Sequence, residues 1–354
     1  MVCQRDIKIF YDLFLWLYQL SLWQQMKGRF FILILLTLFL ALADLRWGSV
    51  YMSWKEFFYV SLRPHEESLG HVILWEYRIP KMLTAIFAGS GLALAGLLLQ
   101  SLFRNPIVGP YVLGISSGAG LAVALLLALG APAGLSEGNP YAVSVAAMAG
   151  AVAVLAFDLL LFKKLKKPEI LLIAGLMVGA FSGAALSILA FGMPAASLQR
   201  YFFWTTGNLG NLSITELILL GSGVALAYMA AATRIKYLNL MLMGDEYLQA
   251  AGVNPSRLHA GIILLTGLLT GLITAFTGPL AFTGLIVPHL SRLILGSRSH
   301  QHLIPGVLIT GAAFMLAVDL LSRLPGRPDV LPVNSITALI GAPLVIHLLI
   351  KNTR

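Results

Sequence analysis

Seven histidines, fifteen carboxylates and one cysteine are the groups in this 354-residue chain that could bind metal, move protons or attack a carbonyl. Their spacing supports none of those chemistries. His300 and His302 flank Gln301 in a polar stretch and read as a solvated loop pair, while His289, after Pro288 in an apolar run, reads as a packing residue. Cys3 stands alone, which excludes an internal disulfide and any multi-cysteine metal site. There is no Gly-Lys dipeptide, so the chain carries no phosphate loop of its own. Asp44, Asp158, Glu169, Glu216 and Asp319, the carboxylates nearest the apolar runs, all fall near the ends of those runs. A carrier driven by an ion gradient more often keeps a carboxylate near the membrane midplane, which disfavours that reading. Neither catalysis nor a bound metal or cofactor is expected of this chain.

Two carboxylates sit where their charge has a local purpose. Asp245 and Glu246 follow Gly244 at the start of a helical pattern, where exposed backbone N–H groups favour negative charge. Residues 247–251 suit a helix, Gly252 a stop and Pro255 a breaker. Two turns of helix are too short to persist alone in water. This polar island, residues 238–257, lies between two long apolar runs, so its helix rests either on its own chain or on a partner.

The elements that must position these residues are membrane spans. The chain is 58% hydrophobic and 11% charged, with mean hydropathy +0.86, against about 25% charged in a soluble domain. Apolar segments fall at about 30–45, 79–103, 110–130, 141–162, 170–192, 212–232, 258–277, 283–296, 303–323 and 333–350, which predicts an all-α polytopic protein of about ten transmembrane helices. The polar stretch between the first two, residues 46–77, holds Ser53-Trp54-Lys55-Glu56, a capping box opening a short amphipathic helix.

The net charge of +9 follows topology and does not signal nucleic acid. With both termini on the cytoplasmic side, 16 of the 24 Lys and Arg residues fall on inner segments, Lys163, Lys164, Lys166 and Lys167 among them. That bias orients the chain and makes residues 238–257 cytoplasmic. Residues 1–25 are aromatic-rich and read either as an interfacial segment or as an extension that is not translated. Met26-Lys27-Gly28-Arg29 resembles a natural start and favours the second. Residues 26–354 form one transmembrane domain. Gly114 and Gly118, Gly175, Gly179 and Gly183, and Gly267 and Gly271 recur at four-residue spacing, a pattern that lets helix backbones approach closely in lipid.

Several segments together resemble the iron-chelate and cobalamin ABC importer permeases. They begin with Arg78-Ile79-Pro80-Lys81, residues 89–96, Gln100, Phe103-Arg104-Asn105-Pro106 and residues 113–120. Residues 278–292, Gly-Pro-Leu-Ala-Phe-Thr-Gly-Leu-Ile-Val-Pro-His-Leu-Ser-Arg, are the most specific signature. Asp319 with Arg323, Leu331-Pro332-Val333 and residues 337–343 complete the match, which covers about residues 30–350. Pro328-Asp329 and Lys167-Pro168-Glu169 are less typical.

The resemblance implies a ten-span type II importer subunit in the inner membrane, paired with a second copy, usually identical, around a central pathway. Two cytoplasmic ATPases, which bind ATP and Mg, and an outer substrate-binding protein would complete the importer. Residues 244–252 would be the coupling helix, with Gly244, Asp245, Glu246, Leu248, Ala251 and Gly252 at or under the ATPase contact. Arg78 and Arg323 would meet acidic residues of the binding protein, with Lys81 a secondary candidate. Asn105, Pro168 and Glu169 would narrow the cytoplasmic side of the pathway, although a helix stop explains Asn-Pro equally well. The fifth and tenth spans and residues 195–209 would line the pathway. Tyr201, Phe202, Phe203 and Trp204 fit an interfacial aromatic belt as well as a cargo contact. The expected cargo is an iron chelate, a ferric siderophore or haem, with cobalamin as the alternative.

Overall fold

Lipid offers no hydrogen bonds, so a spanning backbone must satisfy its own, and this chain does so with helices. The computed structural model describes residues 27–48, 52–62, 68–129, 141–210, 212–323 and 330–352, so the extension at residues 1–25 lies outside the described residues. The one extended pairing among the described residues is a bridge between Arg323 and Val330.

The described chain opens with α1 (Lys27–Arg46) and turns through α2 (Trp54–Leu62). It then enters a continuous helical run, Leu69–Leu102. That run comprises α3 (Leu69–His71), a π-helical stretch Val72–Arg78, and α4 (Ile79–Leu102). A 3-10 turn, Pro110–Leu113, leads to α5 (Ile115–Leu129), α6 (Ala142–Leu165) and α7 (Glu169–Gly192). Next come α8 (Ala195–Thr205), α9 (Ile214–Ala232) and two short helices, α10 (Ile235–Met243) and α11 (Asp245–Ala250). The last four are α12 (Pro255–Thr277), α13 (Thr283–Leu295), α14 (His300–Ser322) and α15 (Val333–Asn352).

Among the described residues, seven helical runs are long and apolar enough to cross a membrane; α5, α13 and the Val333–Ile346 part of α15 are shorter. Together they occupy all ten apolar segments marked by the sequence. Ser53 opens α2 as expected, its hydroxyl accepting from the Glu56 N–H at 3.2 Å.

The second segment departs from expectation. Its helix starts at Leu69, ten residues before the apolar run becomes obvious, so Arg78 lies inside the span and does not open it. Ser68 caps this start by accepting from the His71 N–H at 3.2 Å. Leu74 packs with Met52, Phe57 and Val60 in a small separate core. Trp75, Glu76, Tyr77 and Arg78 hide that pattern in the sequence. A π-helical stretch adds a residue per turn, a feature frequent at functional sites, and here Arg78 at its end is 6% exposed.

The run containing α4 is the axis of the bundle. Its most apolar window is 78% buried, against 17% for α1 and for α7. In lipid there is little hydrophobic drive between helices, so close packing and small residues must hold them. Where α4 crosses α14, a Cβ on Gly89 would overlap the Gly311 carbonyl; where it crosses α13, a Cβ on Gly96 would overlap that of Gly284. Gly118 and Gly150 make the same contact between α5 and α6, and Gly175 meets Val112. The four-residue glycine pattern of α7 does not continue that way. Gly183 has open space around it, and Gly179 meets only the Ser117 hydroxyl at 3.7 Å.

Candidate functional site

The spans gather charge at two ends. At one end lie Arg29, Arg104, Arg292, Asp245 and His259; at the other, Asp44, Arg78, Lys81, Asp319 and Arg323.

At the first end, α10 and α11 form a bent pair around Gly244, whose φ of +136° is strained for any other residue. Asp245 opens α11 and accepts a charge-assisted hydrogen bond from Arg104 at 2.6 Å, with His259 Nε2 at 3.5 Å. Leu248 is fully buried, so of the two readings for this residue, partner or own spans, it takes the spans. Glu246, Tyr247, Gln249, Ala251 and Gly252 are exposed. Gly252, at φ +75°, ends the helix as its position predicted, and the Val253 N–H returns to the Leu248 carbonyl at 2.9 Å.

The last turn of α4 is a polar hub beside this pair. Gln100 donates to the Leu285 carbonyl at 3.1 Å and accepts from Arg292 at 2.7 Å. Ser101 lies 2.7 Å from His300 Nε2, and His300 Nδ1 lies 2.8 Å from the Asn239 side-chain oxygen on α10. His300 is 1% exposed, so the solvated-loop reading is corrected: α14 starts at this residue and draws its ring into the bundle. Arg104 also donates to the Met241 carbonyl at 2.9 Å. Asn105 is half-buried, and its hydrogen bonds are local: its N–H goes to the Gln100 carbonyl and its side chain accepts from Ile107. Pro168 is buried at the entry of α7, and Glu169 is exposed in its first turn.

At the opposite end both expected arginines engage the end of α1. Arg78 donates to the carbonyls of Leu45 and Arg46 at 2.7 and 3.0 Å, and Arg323 to those of Asp44 and Trp47 at 3.1 and 2.7 Å. Helix C-termini leave carbonyls without intrahelical partners and favour cations, which explains two arginines there. Arg323 also pairs with the fully buried carboxylates of Asp44, at 3.1 Å, and Asp319. Lys81 joins Asp319 at 2.9 Å. Asp319 and Arg323, four residues apart, are therefore part of a four-residue network around two buried carboxylates. Asp44 and Lys81 are the members that spacing alone could not connect. Arg78, Lys81 and Arg323 share the wall of one cavity of about 440 Å³ with Tyr77, Asn208 and Val330.

A second cavity, about 260 Å³, opens between α5, α7 and α8. Ser116, Ser117, Ser182, Tyr201, Trp204 and Thr205 give it polar and aromatic walls, and Gly179 and Gly183 border it. The four aromatics of α8 thus divide. Tyr201 and Trp204 face the cavity, while Phe202 and Phe203 are 62% and 60% exposed. Burial raises the Tyr201 phenol above its ordinary pKa, leaving a neutral hydroxyl. The signature loop beside it is held by Asn334, which accepts from the Ala281 N–H at 3.0 Å and donates its own N–H to the Thr206 carbonyl.

Comparison with known proteins matches residues 33–351 to the FecCD transport family. The haemin transport system permease protein HmuU of Yersinia pestis is 32% identical over 91% of this chain and 94% of its own. The Fe(3+)-citrate import system permease protein YfmE of Bacillus subtilis is 34% identical over 78% and 81%. The vitamin B12 import system permease protein BtuC of Salmonella paratyphi A is 30% identical over 80% and 86%. A solved inward-facing metal-chelate type ABC transporter superposes with a TM-score of 0.78 at 29% identity, covering 92% of this chain and 99% of that one. With its match spanning nearly all the described spans, the chain belongs to the FecCD transport family of ABC-transporter permease subunits, which are transport proteins and not enzymes.

Proposed function

We propose that this chain is the permease subunit of a binding-protein-dependent ABC importer that carries an iron chelate, a ferric siderophore or haem, across the cytoplasmic membrane. The observation that carries the reading is α11. A six-residue helix cannot stand alone, yet this one is seated by Leu248 and Asp245 and turns Glu246, Tyr247 and Gln249 outward at the arginine-rich end. That is the arrangement a docking element needs: a rigid seat and a free face. Two ATPase subunits would dock there, one on each of two permease copies, and their closure on ATP would move α11. Arg78, Lys81 and Arg323 at the far cavity would meet acidic groups of a substrate-binding protein, where complementary charge sets register and encounter rate more than raw affinity. Both termini would lie in the cytoplasm.

The cargo assignment leans on relatives named for haemin and Fe(3+)-citrate. Cobalamin is the second reading, favoured by the vitamin B12 permeases in the same comparison. A 260 Å³ cavity is below the usual size for a drug-sized ligand, so the pathway would need a second copy for its other wall. Uptake of labelled ferric siderophore, haem and cobalamin by a deletion strain under iron limitation tests the cargo. Loss of one iron-chelate signal, restored by the gene, is expected. Loss of cobalamin uptake alone would move the chain to the second reading.

A further inference from the structure

We propose that Arg104 is a positioning residue of the transport cycle: it ties the last turn of α4 to both sides of the Gly244 bend, so that movement of α11 is passed to the Asn105-Pro106 turn. The inference rests on the reading that α11 receives the ATPase, and deepens it by naming the link.

Three observations converge on that turn. Arg104 bridges the break between α10 and α11, donating to the Met241 carbonyl on one side and to the Asp245 carboxylate on the other, at 2.9 and 2.6 Å. Its backbone is left-handed, with φ +48°, at a helix end where Gly or Asn would ordinarily stand. A Cβ is disfavoured in that conformation, so the site keeps an arginine where a glycine would relieve the backbone. Its contacts to α10 and α11 are what a smaller residue could not make. Three residues earlier, Ser101 reaches α10 by an inner route, through His300 to Asn239, with all the ring contacts under 3 Å. The pair α10–α11 is therefore fastened to the end of α4 at two points, a route by which its movement would reach that turn.

The candidate gate is the next residue along. The Asn105 N–H is bonded back to Gln100, inside the same turn. Before the turn runs a buried helix of 24 residues, about 36 Å at 1.5 Å per residue, whose other end lies beside Lys81 and the Asp319 network. One rigid element thus joins the α11 seat to the far cavity. The Arg104 and Asp245 side chains are 45% and 41% exposed, and an ion pair so placed contributes little to stability. Its use is therefore better sought in motion than in holding the fold.

The test uses the full complex of permease, ATPase and binding protein in proteoliposomes, in a Cys3→Ser background carrying Ile107→Cys beside the turn. The readout is the rate of maleimide labelling at 107 with and without ATP plus vanadate. With Arg104 present, nucleotide should change that rate by about five-fold or more, the low end of ordinary coupling. Arg104→Ala should reduce the change to less than about two-fold while the ATPase still co-purifies and hydrolyses ATP. The swap Arg104→Asp with Asp245→Arg should recover part of it, which a merely structural role would not predict. An unchanged nucleotide response in Arg104→Ala, or no response with Arg104 present, overturns the inference. Separately, Glu246→Lys with Tyr247→Asp should release the ATPase. If the ATPase stays bound, the docking reading fails and the link with it; if it is released yet Arg104→Ala responds normally, only the link fails.

Discussion

Three buried aspartates show how one residue type gives opposite expectations. Asp319 and Asp44 are fully buried but share Arg323, with Lys81 as a further partner. Removing one member of such a network strands the others, at about 3–5 kcal/mol. Arg323→Ala should therefore lower the melting temperature of the detergent-solubilised chain clearly, and Arg323→Lys should lower it less. A docking experiment on Arg323 is interpretable only beside that melting curve. Asp158 is equally buried on α6, yet its carboxyl oxygens have no hydrogen-bond partner among the described residues. A buried polar group without a partner costs about 1–3 kcal/mol, so Asp158→Leu should leave the melting temperature unchanged or raise it. A marked fall would reveal a partner for that carboxylate. Neither outcome was legible in the sequence, where all three aspartates simply mark span ends. Only the fold shows that Asp44 and Lys81, far from Asp319 in the chain, close on it.

At the scale of elements, hydropathy was enough to place all ten spans, because lipid imposes helices and a minimum apolar length. It fails where polar residues interrupt a buried helix. The stretch from Leu69 to Arg78 reads as loop because Glu76 and Arg78 are charged, although Arg78 is buried against the carbonyls of α1. His300 escapes sequence reading for a related reason: its partners Ser101 and Asn239 come from distant segments. Glycine spacing is legible only as a class. It marks α5, α7 and α12 as candidates for close approach, but misses Gly89 and Gly96 of α4 and does not say which glycines make the contact. The structure separates them and predicts different costs. Gly96→Val forces a side chain into the backbone of α13, whereas Gly183→Ala points a methyl into open space. The first should cost about 1–3 kcal/mol or more and should cut the yield of monodisperse protein in size-exclusion chromatography. The second should run as the parent does, and equal profiles for both would mean that α4 and α13 can separate without unfolding.

For the whole molecule, the functional reading depends on which way the bundle faces. The structure divides charge between its ends without saying which end is inside. Orientation comes from the count of 16 against 8 basic residues on alternate segments, since cytoplasmic loops retain Lys and Arg. Lys163, Lys164 and Lys166 close α6, with Phe162 and His259 in ring contact at the same end as Asp245. Arg200 lies on α8, reached from that end by one crossing of α7. Both positions are exposed, so single cysteines can report on sidedness in a Cys3→Ser background. Lys164→Cys should react with a membrane-impermeant maleimide in inside-out vesicles and be protected in intact cells, and Arg200→Cys should do the reverse. The opposite pattern would place Arg104 and α11 outside the cell, away from ATP. An ATPase could not then dock on that face, and the cavity at Arg78 and Arg323 would face the cytoplasm. The expected pattern would put the two ends where the proposed importer needs them, with a substrate-binding protein meeting the Arg323 cavity from outside and an ATPase docking on α11 from the cytoplasm.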